Sequence, residues 1–160
     1  MRAWATVAAA MLLGAGAARA DCDHFKWSLA REKTWFTQAS EPAGPEIAPA
    51  ERVYELALKT SDAAGFVVPL KKPMAAGEYG GVVKIAAVPK AGVYQVTLSR
   101  EAWVDVIQNQ ARAGTRNVSR QRDCPTFAKS VRFELAAGPA VLQFSGVSAP
   151  KLDFAIAAAP

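Results

Sequence analysis

Val93-Tyr94-Gln95-Val96-Thr97-Leu98 repeats with a period of two: Tyr94, Val96 and Leu98 share one face and Val93, Gln95 and Thr97 the other. That is the beat of a strand with one side in a core. It recurs on both sides of this stretch. Tyr54, Leu56 and Leu58 alternate with Glu55, Ala57 and Lys59, and Val131, Phe133 and Leu135 with Ser130, Arg132 and Glu134. Leu142 with Phe144, and Leu152 with Phe154 and Ile156, continue it, while apolar Phe66 to Leu70 and Val82 to Val88 read as further strands. Turn residues separate the runs at Ser61-Asp62, at Gly77 with Gly80-Gly81, at Pro89 to Gly92, at Ala137 to Pro139 and at Ala149-Pro150.

About eight short strands at such spacing, with no helical run between them, predict an all-β domain: an antiparallel β-sandwich, jelly-roll-like, with a short N-terminal helix. The helix is expected from Ser28 to about Gln38 with Ser28 as its cap. Ala39 to Ala50, with Pro42, Gly44, Pro45 and Pro49, reads as a connecting loop. The stretch from Arg112 to Arg122 reads as a polar loop leading to Cys124.

The start of the chain predicts export. Arg2 precedes an uncharged stretch from Ala3 to Ala18, and Ala18-Arg19-Ala20 places small residues where a signal peptidase reads. Residues 1–20 are therefore expected to be a signal peptide, and residues 21–160 one domain. The stretch is shorter and less apolar than the ~20 residues of a membrane anchor, and no later run approaches that length. Asp21 stands between the cut and Cys22, which argues against a lipoprotein. Without the leader the chain carries 17 basic and 14 acidic side chains, a net charge of +3. So mild an excess on an exported protein does not point to nucleic acid. The two cysteines, Cys22 and Cys124, are expected to form a disulfide in an oxidising compartment, because neither CxxC spacing nor nearby histidines suggest a redox or metal thiol.

One histidine, His24, starves most hydrolytic and metal mechanisms, which need two or three imidazoles or a triad built on one. No catalytic residue, metal ligand or cofactor is assigned. His24 would be fourth in the processed chain, one place beyond the amino-terminal copper clip, and reads as a surface residue beside the disulfide. Binding residues are more readily placed. In Ala102-Trp103-Val104-Asp105-Val106-Ile107, Trp103, Asp105 and Ile107 share one face. With the valine face inward, Trp103 and Asp105 form an exposed aromatic-plus-acid pair of the sort that holds sugars. With the Trp face inward, Asp105 is buried and requires hydrogen bonds or an arginine. The plainer and commoner arrangement keeps Trp103 in the core and Asp105 at the strand margin. Arg112, Arg116, Arg120 and Arg122 form a second candidate, since guanidinium groups suit the carboxylates or phosphates of an anionic envelope polymer. Solvated loop charge is the plainer reading there. Asn117-Val118-Ser119 matches a glycosylation sequon. Trp27, Arg31, Lys33 and Trp35 frame a further aromatic and basic group, more often the cover over a sandwich than a site.

Ala91 to Leu98, Trp103 to Val106, Cys124-Pro125 and Lys129 to Leu135, with Cys22 to Trp27 and Arg31-Glu32, resemble a group of small uncharacterised exported proteobacterial proteins. The succession Gly92-Val93-Tyr94, Trp103-Val104-Asp105-Val106 and Gly138-Pro139-Ala140-Val141-Leu142-Gln143 is more distantly similar to pre-peptidase C-terminal domains, β-sandwiches appended to secreted enzymes. The resemblance implies a periplasmic or secreted β-sandwich. Chains like this are sometimes labelled homogentisate dioxygenase, but that enzyme is a much larger cupin-type protein with several His and Glu ligands, and this chain has one His. Three functions follow as expectations. The first is a non-catalytic binding or accessory module for a glycan or envelope component. The second is a metal-dependent enzyme, disfavoured by the single His, and the third is a structural envelope protein with a protein partner. Nothing in the sequence fixes an oligomeric state.

Overall fold

The computed structural model describes residues 22–160. The leader and the cut after Ala20 lie outside the described residues.

One helix, α1 (Ala30–Phe36), precedes eleven strands. These are β1 (Glu41–Pro42), β2 (Glu46–Ile47), β3 (Tyr54–Ala57), β4 (Tyr79–Val88), β5 (Gly92–Leu98), β6 (Trp103–Gln108), β7 (Ala111–Arg112), β8 (Thr115–Arg120), β9 (Lys129–Leu135), β10 (Gly138–Val147) and β11 (Lys151–Ala158). They form a six-stranded sheet in the order β1-β3-β11-β5-β9-β8 and a five-stranded sheet in the order β2-β4-β10-β6-β7. The chain is an all-β sandwich with one short helix at its N-terminal side, as its alternation predicts.

The inward faces are the apolar ones of the alternating runs. Tyr94, Val96, Leu98, Val131, Phe133, Leu152, Phe154 and Ile156 from one sheet meet Val83, Ile85, Val104, Val106, Leu142 and Phe144 from the other. The rings of Phe144 and Phe154 join the sheets with centroids 5.0 Å apart. Each such side chain contributes about 1.5–3 kcal/mol by leaving water.

Five local expectations are corrected. The Pro-rich segment 39–50 is not simply a loop: β1 and β2 pair parallel with β3 and β4, so both sheets are mixed. Two residues on a sheet edge tolerate the missing donors of nearby prolines. Gly80 and Gly81 lie inside β4 instead of at a turn. A Cβ at Gly80 would stand 2.6 Å from Cζ of Phe66 and 2.7 Å from the carbonyl oxygen of Phe144, so glycine is needed there for close approach. The stretch from Arg112 to Arg122 is not a loop but β7 followed by edge strand β8, whose exposed Arg116, Asn117 and Arg120 discourage further strand addition. Helix α1 is shorter than the span from Ser28 to Gln38. Leu29 occupies the N-cap, and Ser28 lies one residue outside, its Oγ accepting from Ala30 N–H at 3.3 Å.

Phe66 to Leu70 is not a strand either. After Gly65, at φ +71, it crosses the outward face of the five-stranded sheet as an irregular strap. Gln143 on β10 pins it: its Oε1 accepts from Val67 N–H at 2.9 Å and Val68 N–H at 3.3 Å, and its Nε2 donates to Val68 O at 3.0 Å. Side-chain bonds replace the ladder that the apolar run suggested.

The outward face of the six-stranded sheet is covered by the N-terminal segment. A disulfide joins Cys22 to Cys124, 102 residues apart, next to a cluster of Phe25, Leu29 and Phe127. Trp35 packs on Val53, Ala155 and Ala157. Between helix and sheet lies a polar layer. Glu32, 2% exposed, accepts from Gln95 Nε2 at 2.8 Å, and Gln95 Oε1 accepts from Arg132 Nε at 2.9 Å. The Arg132 guanidinium stacks 4.4 Å from the Trp27 ring, whose Nε1 donates to Ser130 Oγ. Trp27, Arg31 and Trp35 are thus part of the cover, Arg31 through its 2.8 Å ion pair with Glu32. Lys33, the fourth member of that group, is exposed on α1. Among the described residues no helix is long and apolar enough to cross a membrane.

Candidate functional site

The β6 strand decides which residues can meet a ligand. Val104 and Val106 enter the core, so Trp103 and Asp105 point outward. Trp103 is 47% exposed, one of two large apolar side chains in that state among the described residues, the other being Val67. The core position that is commoner for such a tryptophan is not the one it takes, because Val104 and Val106 already fill the inward side.

The two outward residues have different surroundings. The Asp105 carboxylate is 3.4 Å from Lys71 Nζ and 3.2 Å from Arg112 Nε, and Arg112 Nη2 donates to Pro69 O. Two cations therefore hold Asp105, and through them it anchors the strap. The Nε of Arg112 lies at ion-pair distance without the alignment of a hydrogen bond. Asp105 is a structural acid.

Trp103 instead faces an open cleft of about 180 Å³ lined with Glu101, Ala102, Arg120 and Gly146. Its ring rests on Gly146, in an irregularity of β10 between Phe144 and Val147; with φ +71, Gly146 brings the point where a Cβ would sit to 3.2 Å from Trp103 Cδ1. Arg120 reaches across from β8, its Nε 3.7 Å from Glu101 Oε2, with both side chains about half exposed (51% and 52%). Such a long, wet ion pair is weak and easily exchanged. At the inner side, Lys129 Nζ lies 5.5 Å from the Trp103 ring centroid and donates to Ala102 O at 2.6 Å. Burial, joined by the charge of Arg120, pushes the Lys129 pKa down to about 8.

The arginines do not converge. Arg112 lies with Asp105 under the strap and Arg120 beside Trp103. Arg116 is 3.1 Å from Glu134 on the neighbouring strand β9. Arg122 is exposed near the disulfide, and so is His24, whose backbone N–H donates to Gln121 Oε1 at 3.1 Å. In the sequon, Asn117 is exposed, whereas Ser119 is buried and accepts from Lys26 N–H at 2.9 Å. Sequence reasoning missed Glu101, Lys129 and Gly146. Lys129 carries the one usable signal, a charge at an inward position of an otherwise apolar alternation. A second, more apolar concavity of about 610 Å³ lies beyond the strap, between Val67, Val68, Ala86, Ile107 and Val141, with Lys84 and Glu46 at its margin. Among the described residues no group of three or more His, Cys, Asp or Glu stands together for a metal ion.

No protein family, curated protein or solved structure matches the chain.

Proposed function

We propose that this chain is a non-catalytic binding module of the periplasm or of the secreted fraction, and that it holds a glycan of the cell envelope on Trp103. The observation that carries the proposal is the exposed indole on a rigid strand, seated on Gly146 and flanked by the polar pair Glu101 and Arg120. A half-exposed tryptophan retains apolar surface in water, and the C–H face of a sugar ring covers it while flanking charged groups meet the hydroxyls. The disulfide supports the compartment, since such bonds persist where the medium oxidises thiols.

The test is a titration with peptidoglycan fragments and envelope polysaccharides, following the Trp103 indole N–H by NMR, with Trp103→Phe to assign the signal. Saturable movement of that signal is expected, and in Trp103→Ala the backbone amides of Glu101, Ala102 and Gly146 should no longer shift with any glycan. A Trp103 resonance that stays still across the panel overturns the proposal.

A further inference from the structure

Resting on the reading of Trp103 as a sugar platform, we infer that the cleft selects saccharides whose terminal ring carries a carboxylate, with Arg120 as the residue that recognises the acid. The cleft is small. At about 180 Å³ it lies below the ~300–1,000 Å³ of sites that enclose a whole drug-sized ligand, so it takes one ring and leaves the rest of an oligosaccharide outside.

The charges around that ring determine what it can be. Within the site and its margin stand four cations, Lys71, Arg112, Arg120 and Lys129, and three carboxylates, Glu78, Glu101 and Asp105. Their availability differs more than their number. Asp105 is held by Lys71 and Arg112, and Glu78 accepts from Ala75 N–H at 2.8 Å. Lys129 is 4% exposed and bonded to a carbonyl, so it acts on a ligand through its field alone. Arg120 is the cation free to change partner, because its ion pair with Glu101 is 3.7 Å long and open to water. A planar guanidinium offers a carboxylate two parallel N–H donors, a geometry its distant contact with Glu101 does not use. A sugar stacked on Trp103 with its carboxylate toward Arg120 would replace that contact with a closer one, and Lys129 beneath the ring favours the added negative charge. A neutral ring gains the stacking and hydroxyl contacts but no ion pair.

The experiment compares trigalacturonate with maltotriose, a neutral saccharide of equal length, on the full disulfide-bonded protein, reading the Trp103 indole N–H. The acidic sugar is expected to bind at least fivefold more tightly, and Arg120→Gln to remove that preference by weakening trigalacturonate at least fivefold more than maltotriose. Arg120 is half exposed and outside the core, so the variant folds, which its NMR spectrum verifies. Equal affinity for both sugars, or an acidic preference that survives Arg120→Gln, overturns this inference and leaves the glycan module standing. If neither sugar nor any other glycan moves the Trp103 signal, both fail together.

Discussion

The Lys129 ammonium lies 5.5 Å from the centroid of the Trp103 ring although the two side chains leave different sheets. Lys129 sits at the end of the core, and its burial lowers its pKa from 10.5 to about 8. The folded chain therefore holds this proton less tightly than the unfolded chain. Between those two values the unfolded state binds more protons, so the Lys129 contribution to stability rises with pH across that window and is constant below it. At about pH 9.5 the gain over about pH 7 is about 2 kcal/mol. Urea unfolding of the native protein and of Lys129→Met at both pH values checks this: the difference between them should shift by that amount, and a constant difference contradicts it.

The disulfide closes a loop of 102 residues. Replacing Cys22 and Cys124 with serine is expected to lower stability by about 2–5 kcal/mol. The loss should appear first at the N-terminal cover, with hydrogen exchange rising in α1 before it rises in β5 or β11.

Glu32 accepts from Gln95 and Arg31 beneath the helix. Glu32→Ala strands both donors, Gln95 in a buried site, and is expected to cost about 2–4 kcal/mol. Glu32→Gln retains the Oε1 acceptor and is expected to cost less than half as much. Chemical denaturation of the two variants distinguishes this role from one that rests on the carboxylate's charge toward Arg31, for which both would behave alike.

Three hydrogen bonds from Gln143 hold the strap at Val67 and Val68. Gln143→Ala removes all three while the ladder of β10 with β4 and β6 persists. Limited trypsin digestion is expected to cut faster after Lys71, by roughly tenfold, the ratio that about 1.4 kcal/mol of lost local protection produces. Pro73 shields the bond after Lys72. An unchanged cleavage rate would show that Arg112 and Lys71 hold the strap without Gln143.

The sandwich was legible because alternation is a local property: Tyr94, Val96 and Leu98 mark an inward face wherever their partners come from. The same logic misled at Phe66 to Leu70, where an apolar run is held by one distant glutamine, and at Arg112 to Arg122, where polar edge residues imitate a loop. It also left the outward residues Gln95, Thr97, Ser119 and Ser130 looking solvated, although all four are buried beneath the N-terminal cover. Their uncharged character is a trace of that burial, since residues that face water on β8 and β9, such as Arg116 and Glu134, carry charge. Trp103 and Arg120 were both identifiable as candidates. Their meeting was not, because Arg120 reaches the Trp103 cleft from the opposite sheet and no spacing along the chain encodes it.

The cover over the six-stranded sheet also imposes an order in time. Helix α1 comes early in the chain, yet the groups it needs lie far downstream: Gln95 is 63 residues from Glu32, Cys124 is 102 from Cys22, and the carbonyl of Ala158 that receives Arg31 is 127 away. While the chain is released from a ribosome N-terminus first, these residues have nothing to rest on. Contacts so distant in sequence form late. The part that arrives first is the part placed last, and until then its Trp27, Trp35 and Phe36 stay open to any holding factor that recognises exposed aromatic side chains.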